Sequence, residues 1–181
     1  MIPTEILPVP ELSFTIDGEI AISASQTSSK DDFDFFIGKW QLKNKKLKER
    51  LANCKEWVEF ESTQEMRKLL NGLGNIDNFL AEFDGERFEG MSLRLFNPKT
   101  RLWSIYWSDS VTGVLDPPVV GSFENSIGHF FTKDIFKGKD IIMVFRWDIR
   151  DRENPVWSQA YSADKGETWE WNWYMFMSRI K

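Results

Sequence analysis

The feature that most constrains how this chain can fold is an alternation of large apolar residues with other residues, which recurs in segment after segment beyond Trp57. In the clearest example, Trp169 to Met177, every second residue is a tryptophan or a methionine. A period of two is typical of a β-strand whose two faces meet different surroundings. Turn signals such as Asp84-Gly85 separate the segments, and no crossover helix is indicated after residue 60. From Trp40 onward the pattern therefore predicts about nine or ten strands in an antiparallel meander.

A meander of this length leaves two unpaired strand edges unless its first and last strands pair with each other. Closure removes both edges, and a barrel of about eight to ten strands either fills with side chains or encloses one small ligand. We expect an all-β fold, an up-and-down antiparallel β-barrel of about 8–10 strands with a short N-terminal helical turn. Asp31 or Asp32 can cap that turn, and Gly38 ends it. From Gln41 to Arg50 the spacing fits both a strand and a helix, and we favour a strand followed by a loop.

The N-terminal segment differs in composition from the rest of the chain. Three of the first ten residues are prolines, and Ser23 to Ser29 is a polar, loop-like stretch. We expect two parts: residues 1–30 form an arm that is partly disordered until it docks, and residues 31–181 form the barrel. Apolar residues of the arm, such as Phe14 and Ile20, could add an edge strand or pack on a neighbouring subunit.

The charge and the scarcity of metal-binding residues exclude several classes of function. Lysine and arginine together number 23 and aspartate and glutamate 28, a net charge of −5, so we expect neither a nucleic-acid nor a membrane partner. One cysteine excludes an intramolecular disulfide, and one histidine beside it leaves too few ligands for most zinc sites. We expect no metal and no cofactor. Because the sequence shows neither a bilayer-spanning apolar stretch nor a signal-peptide pattern, we expect a cytoplasmic protein.

Short motifs along the chain resemble a known group of barrels. A helical turn followed by Gly38-x-Trp40 is similar to the start of the calycins, the group that includes lipocalins and fatty-acid-binding proteins. A fuller set of segments resembles a bacterial family of uncharacterised lipocalin-like domains (domain-of-unknown-function group 1579). These segments are Asp32–Trp40, Leu93–Pro98, Trp103–Trp107, Asp116–Gly121 and Trp169–Trp173. The resemblance covers about residues 31 to 180 and implies a calycin-like barrel, but the family has no settled activity to carry over.

Several other motifs are better explained by structure than by catalysis. The segment Ser162-Ala-Asp-Lys-Gly-Glu-Thr-Trp169 matches the Asp-box of sialidase propellers, and its single copy predicts a stapled hairpin turn. Related barrels that bind haem use an axial histidine, but His129 lies near a turn, and we favour a surface or turn histidine. Cys54 lacks a neighbouring base. Four carboxylates near strand centres or ends are best explained as a solvated strand face: Glu59, Glu61, Asp109 and Glu170.

Polar residues between large apolar ones are the candidates for ligand binding. The set is Arg94, Tyr106, Arg146, Gln159 and Asn172, with Trp107 and Trp157 as aromatic walls. If the polar face points inward, Arg94 and Arg146 form a positive floor suited to a carboxylate. If it points outward, the same residues are ordinary surface residues. Alternation cannot decide, because a slip of one residue exchanges the two faces.

The sequence therefore favours one function and leaves two alternatives open. The leading hypothesis is a barrel that binds a small apolar or aromatic ligand with an acidic group. One alternative is an enzyme, an isomerase or hydrolase of a small hydrophobic substrate, which would need a titratable pair in the cavity. The other is a dimeric interaction module with a filled barrel. The tryptophans exceed what one small interior needs, so we also expect a possible homodimer.

Overall fold

The computed structural model describes residues 8–180 and contains ten strands joined mostly by short loops. Two short 3-10 turns, Asp34–Phe36 and Leu70–Gly72, complete its regular structure. The strands are β1 (Gly38–Leu47), β2 (Trp57–Leu69), β3 (Gly74–Phe83), β4 (Glu86–Asn97), β5 (Leu102–Asp109), β6 (Val119–Glu124), β7 (Ile127–Phe136), β8 (Lys139–Asp148), β9 (Val156–Ser162) and β10 (Glu170–Arg179).

The strands pair in chain order and close into one barrel. Every neighbouring pair is antiparallel, and β1 pairs with both β2 and β10. At this closure Trp40 lies opposite Gln64 on one side and opposite Arg179 on the other. Closure gives each of the ten strands two hydrogen-bonded neighbours, which is the physical reason for expecting it from a meander. The predicted all-β, up-and-down antiparallel barrel is confirmed.

The segment that enters the barrel differs from the expectation in one detail. The predicted helical turn is present and ends before Gly38, whose φ of +104° suits glycine. No side chain caps the turn, however. The carboxylate of Asp32 instead accepts a hydrogen bond from the N–H of Ser29, at 2.9 Å, and thus fixes the preceding bend. After the turn, β1 continues to Leu47, as the strand-then-loop interpretation predicts.

Aromatic side chains from the entering turn close one end of the barrel. Phe33 makes edge-to-face contacts with Trp103, Phe123 and Trp147, at centroid distances of 5.0 to 5.7 Å. Nearby, the Trp40 indole N–H donates to the Phe36 carbonyl at 2.9 Å. We call Phe33, Phe35 and Phe36 the aromatic plug. Because all three are buried, the plug seals the end of the barrel at which the chain enters.

The described part of the arm, residues 8–30, lies against the outside of the barrel. An outer apolar cluster of Phe131, Ile142, Val144 and Ala160 is covered by Val9, Leu12, Ile20 and Ile22. Hydrogen bonds from the Arg101 guanidinium to the carbonyls of Gln26 and Ser28 hold the end of the arm. Residues 1–7 of the predicted arm lie outside the described residues.

The Asp-box segment forms the loop between β9 and β10. Asp164 accepts hydrogen bonds from the hydroxyl of Ser162 and from the N–H and hydroxyl of Thr168. These bonds lower the pKa of Asp164 to about 2, the hydroxyl of Thr168 contributing most. The motif therefore staples a hairpin, as its single copy predicts.

Candidate functional site

A cavity of about 190 Å³ lies inside the barrel, between the aromatic plug and the opposite, open end. Its walls come from every strand except β1 and β3, and large aromatic and aliphatic side chains make up much of them. The large apolar lining residues are Ile105, Trp107, Met143, Phe145, Trp147, Trp157, Trp173, Met175 and Met177. Gln64, Ser92, Arg94 and Gln159 supply most of the polar lining, and Asp116 and Asp134 lie at the rim. The interior is therefore not completely filled by side chains.

A buried ion pair forms the polar floor of this cavity. The Arg94 guanidinium donates to the carboxylate of Asp77 and, at 3.1 Å, to the side-chain oxygen of Asn75. The other carboxylate oxygen of Asp77 accepts from the amide of Gln64 at 2.8 Å. Both ionic side chains are almost completely buried, at 3% and 0% exposure. Since Asp77 balances the charge of Arg94, the floor is dipolar rather than positive.

Two polar atoms of this floor have no hydrogen-bond partner among the described residues. They are Gln64 Oε1, an acceptor, and Arg94 Nε, a donor. Buried polar groups are nearly always hydrogen-bonded, because leaving one unpaired costs about 1–3 kcal/mol. Both residues line the cavity. The residues that carry this unpaired acceptor and this unpaired donor therefore lie at the cavity wall.

A bulge in β10 gives a second polar pair. The pairing of β10 with β9 shifts register between Trp171 and Trp173, which places Asn172 against Gln159. The Gln159 amide donates to the side-chain oxygen of Asn172 at 2.8 Å. The bulge also splits the predicted stripe of tryptophans, since Trp171 packs on the outer apolar cluster while Trp173 lines the cavity.

The structure separates the two arginines that were expected to form one floor. Arg146 alternates with Phe145 and Trp147, which line the cavity, so its side chain lies on the outer face. There the guanidinium lies 4.1 Å from the centre of the Trp171 ring. Tyr106 also points outward, by the same alternation. The predicted floor of Arg94 and Arg146 is therefore wrong, because β4 turns its polar face inward while β8 turns its aromatic face inward.

His129 lies on the outer face beside Arg146, to which its residue is paired across β7 and β8. Burial, and secondarily the positive charge of Arg146, lowers the pKa of His129 from 6.5 to about 4. The imidazole is therefore neutral at pH 7. It packs against the Phe131 ring on the side covered by the arm, so it is more buried than a turn histidine would be.

The sequence interpretation missed one inward-facing cation, Lys46. On β1, Trp40, Leu42 and Asn44 are buried on one face, and Lys46 continues this face at the open end. Its ammonium lies 4.0 Å from the centre of the Trp173 ring. Burial, with a smaller contribution from Arg50, lowers the pKa of Lys46 to about 8. The signal that could have found it is the alternation that begins at Trp40.

The candidate site offers hydrogen bonds and aromatic surface rather than metal ligands. Within residues 8–180, no group of three or more His, Cys, Asp and Glu side chains is placed to hold a metal ion. In the same range, no helix has the length and apolar character needed to cross a bilayer.

These features define the architecture of the molecule: a closed, ten-stranded antiparallel β-barrel with an interior cavity. A solved structure with a similar fold is that of the S-type phycobiliprotein lyase CPES from Guillardia theta. It matches with a TM-score of 0.60 and 10% sequence identity, over 86% of this chain and 94% of that chain. At this identity the similarity establishes the fold alone. No protein-family model matches the chain, and no curated protein matches it in sequence.

Proposed function

We propose that this protein binds a small, mainly aromatic or apolar molecule inside the barrel. The observation that carries the proposal is the pair of buried, unpartnered polar atoms, Gln64 Oε1 and Arg94 Nε, on residues that line a largely apolar cavity. Ligand sites commonly combine an apolar lining with a few convergent polar groups. Of the residues expected to bind, Arg94, Gln159, Trp107 and Trp157 line this cavity, and Asn172 supports Gln159.

The volume of the cavity limits the size of the ligand. An apolar cavity of about 150 Å³ is large enough to bind benzene. The cavity here, of about 190 Å³, suits one ring or two fused rings with a short substituent. Larger molecules would have to extend through the open end.

The floor of the cavity favours a neutral polar group on the ligand. A carboxylate beside Arg94 would also face Asp77, so two negative charges would share one positive charge in a buried place. A group that donates to Gln64 Oε1 and accepts from Arg94 Nε, such as a primary amide, leaves the ion pair intact. The acidic group expected from the sequence therefore has no place at Arg94.

The same geometry gives less support to an enzyme. The rim carboxylates Asp116 and Asp134 are both exposed, and the buried carboxylate Asp77 is held by Arg94 and Gln64. Burial raises the pKa of Asp116, with smaller contributions from Asp109 and Asp134. Among the described residues these acids do not form a carboxylate pair inside the cavity, which acid–base catalysis on this barrel would need.

The comparisons add support for the barrel but not for one ligand. The similar structure is named as a phycobiliprotein lyase, which is compatible with a barrel that handles small molecules. Membership of the bacterial lipocalin-like family, a cytoplasmic location and a homodimer stay predictions drawn from the sequence.

Titration calorimetry with a panel of neutral aromatic amides and alcohols, including indole-3-propionamide, tests the proposal. We expect a Kd of about 10–100 µM for the best member. Ser92→Leu, which adds a side chain inside the cavity, should weaken binding at least tenfold. Ser104→Leu is the matched control, because Ser104 alternates with the inward Trp103 and Ile105 and so points outward. Absence of binding to the wild-type protein across the panel would contradict the proposal.

A further inference from the structure

The open end of the barrel contains a lysine, Lys46, that has no carboxylate partner in the described part of the chain. Within residues 8–180, no carboxylate lies within 4.0 Å of Lys46 Nζ, whereas Lys45 and Lys48 are each paired with a glutamate. Lys45 lies 3.0 Å from Glu59, and Lys48 lies 3.1 Å from Glu56. The Trp173 ring stabilises this half-buried ammonium through a cation–π contact. A carboxylate beside it would add an ion pair that the described residues do not supply.

A cleft of about 400 Å³ surrounds this lysine. Phenylalanines from β2, β3 and β4 form its apolar wall, and Trp173 forms part of its base. The phenylalanines are Phe60, Phe79, Phe83 and Phe88. Phe60 and Phe83 are in edge-to-face contact at 4.9 Å, so the wall is already packed. The cleft thus places a cation above a preformed apolar surface.

Trp173 connects this cleft with the interior cavity, since it lines both. Its indole N–H donates to Asn44 at 3.1 Å, which fixes the ring. The ammonium of Lys46 lies over that ring. A molecule whose rings pack on Trp173 therefore meets the ammonium where the interior opens to solvent.

A second cation stands nearby but is already engaged. Arg50 donates to the hydroxyl of Tyr161 at 2.7 Å and lies 5.0 Å from the centre of the Phe136 ring. These contacts of Arg50 are neutral, so it too lacks a carboxylate partner among residues 8–180, but they hold its guanidinium against Tyr161 and Phe136. Lys46 differs because its ammonium lies over Trp173, the residue that the cleft shares with the interior cavity.

We propose that Lys46 binds the acidic group of the ligand and that the ligand is an aromatic carboxylic acid, its rings packed on Trp173. This inference rests on the proposed function and specifies that the ligand is negatively charged. It also moves the anion site from Arg94 and Arg146, where the sequence predicted it, to the open end of the barrel. A carboxylate there would pair with an unbalanced cation instead of competing with Asp77.

The test compares indole-3-propionate with indole-3-propionamide, which differ in charge and little in shape. Calorimetry on the wild-type protein should show the acid binding at least about tenfold tighter than the amide. In Lys46→Met the preference for the acid should disappear while the affinity for the amide stays within about twofold. Lys46→Arg should keep the preference. Lys45→Met, which removes a lysine already paired with Glu59, is the matched control and should keep it as well.

The outcomes separate this inference from the proposed function. If the amide binds and the preference for the acid is missing, or survives in Lys46→Met, the lysine site is wrong and the interior site stands. If neither compound nor any other panel member binds the wild-type protein, the proposed function fails first. Circular dichroism of each variant shows whether a loss of binding reflects a loss of fold.

Discussion

Arg94 and Asp77 place opposite charges in the interior, and neighbouring residues support each of them. Asn75 and Gln64 bond to the pair, and the guanidinium lies 5.1 to 5.6 Å from the ring centres of Phe33, Phe36 and Trp147. A charge in such a place is stable only with its partner, because the surroundings cannot replace water. The pair therefore contributes to the fold as well as to the cavity.

We expect removal of one partner to cost far more than removal of both. Asp77→Asn leaves Arg94 as an unbalanced buried cation, and Arg94→Met leaves Asp77 as an unbalanced anion. Each should lower the free energy of unfolding by about 3–5 kcal/mol. The double variant Asp77→Leu/Arg94→Met should lose much less than the sum, as measured by urea unfolding. Additive losses would show that the two charges do not depend on each other.

The neutral imidazole of His129 makes the stability of the protein depend on pH. The unfolded chain takes up a proton near pH 6.5, whereas the folded protein resists it until about pH 4. Between these values the unfolded state binds more protons, so stability falls as the pH falls. We expect this histidine to remove about 2–3 kcal/mol between pH 7 and pH 4. In His129→Gln that part of the loss should vanish in urea titrations at each pH; an unchanged pH profile would contradict the assignment.

Arg94 and Arg146 also show which part of the site the sequence can predict. Both are flanked by large apolar residues, Leu93 and Leu95 for the first and Phe145 and Trp147 for the second. The sequence therefore identifies both as arginines in the middle of a strand. It cannot tell that the first points inward and the second outward, because each strand sets its own register through its pairing partners. The sequence thus identified both arginines as candidates, but it did not show on which face of the sheet each side chain lies.

The arm covers one outer face of the barrel and excludes solvent from it. Ile20 packs there with Leu12, against the cluster that contains Val144 and Ala160. The neighbouring Ile16 is fully exposed. Apolar burial is the main favourable contribution of such contacts, so the two isoleucines should differ in their importance although they are close in sequence.

We expect Ile20→Ser to lower the free energy of unfolding by about 1–2 kcal/mol, because it removes a half-buried apolar side chain from the arm. Ile16→Ser, the same change on an exposed side chain, should stay within about 0.5 kcal/mol of the wild-type protein. Urea unfolding followed by tryptophan fluorescence measures both. Equal effects of the two substitutions would mean that the arm does not dock on this face in solution.

Elements were predicted well where alternation is regular and less well where it is interrupted. The alternation in β8 identifies a strand without further information, and Asn97 to Thr100 identifies a turn. The bulge in β10 could not be predicted from the sequence, because Trp171, Asn172 and Trp173 fit the apolar–polar alternation of a regular strand. Only the pairing with β9 shows the extra residue. On β1, the spacing from Gln41 to Arg50 fitted both a strand and a helix, and this ambiguity hid the inward direction of Lys46.

Almost all of the strands contribute residues to the walls of the cavity. A ligand that contacts these walls binds the closed barrel and not the unfolded chain, so it should stabilise the fold as one unit. At a free concentration of about 100 times Kd, the panel ligand should add about 2.7 kcal/mol to the free energy of unfolding. Hydrogen exchange should slow in the central residues of all ten strands. Slowing confined to the loops at the open end would place the ligand outside the barrel.

The aromatic plug leaves one end of the barrel for a ligand to enter and leave. Because Phe33, Phe35 and Phe36 seal one end, a molecule that enters the barrel leaves by the same end. That exit lies beside residues 110–118, which include the rim residues Asp116 and Pro117. Entry and exit therefore share one route past this loop. A substitution that narrows the route would slow arrival and departure together, lengthening each visit while leaving the equilibrium occupancy unchanged.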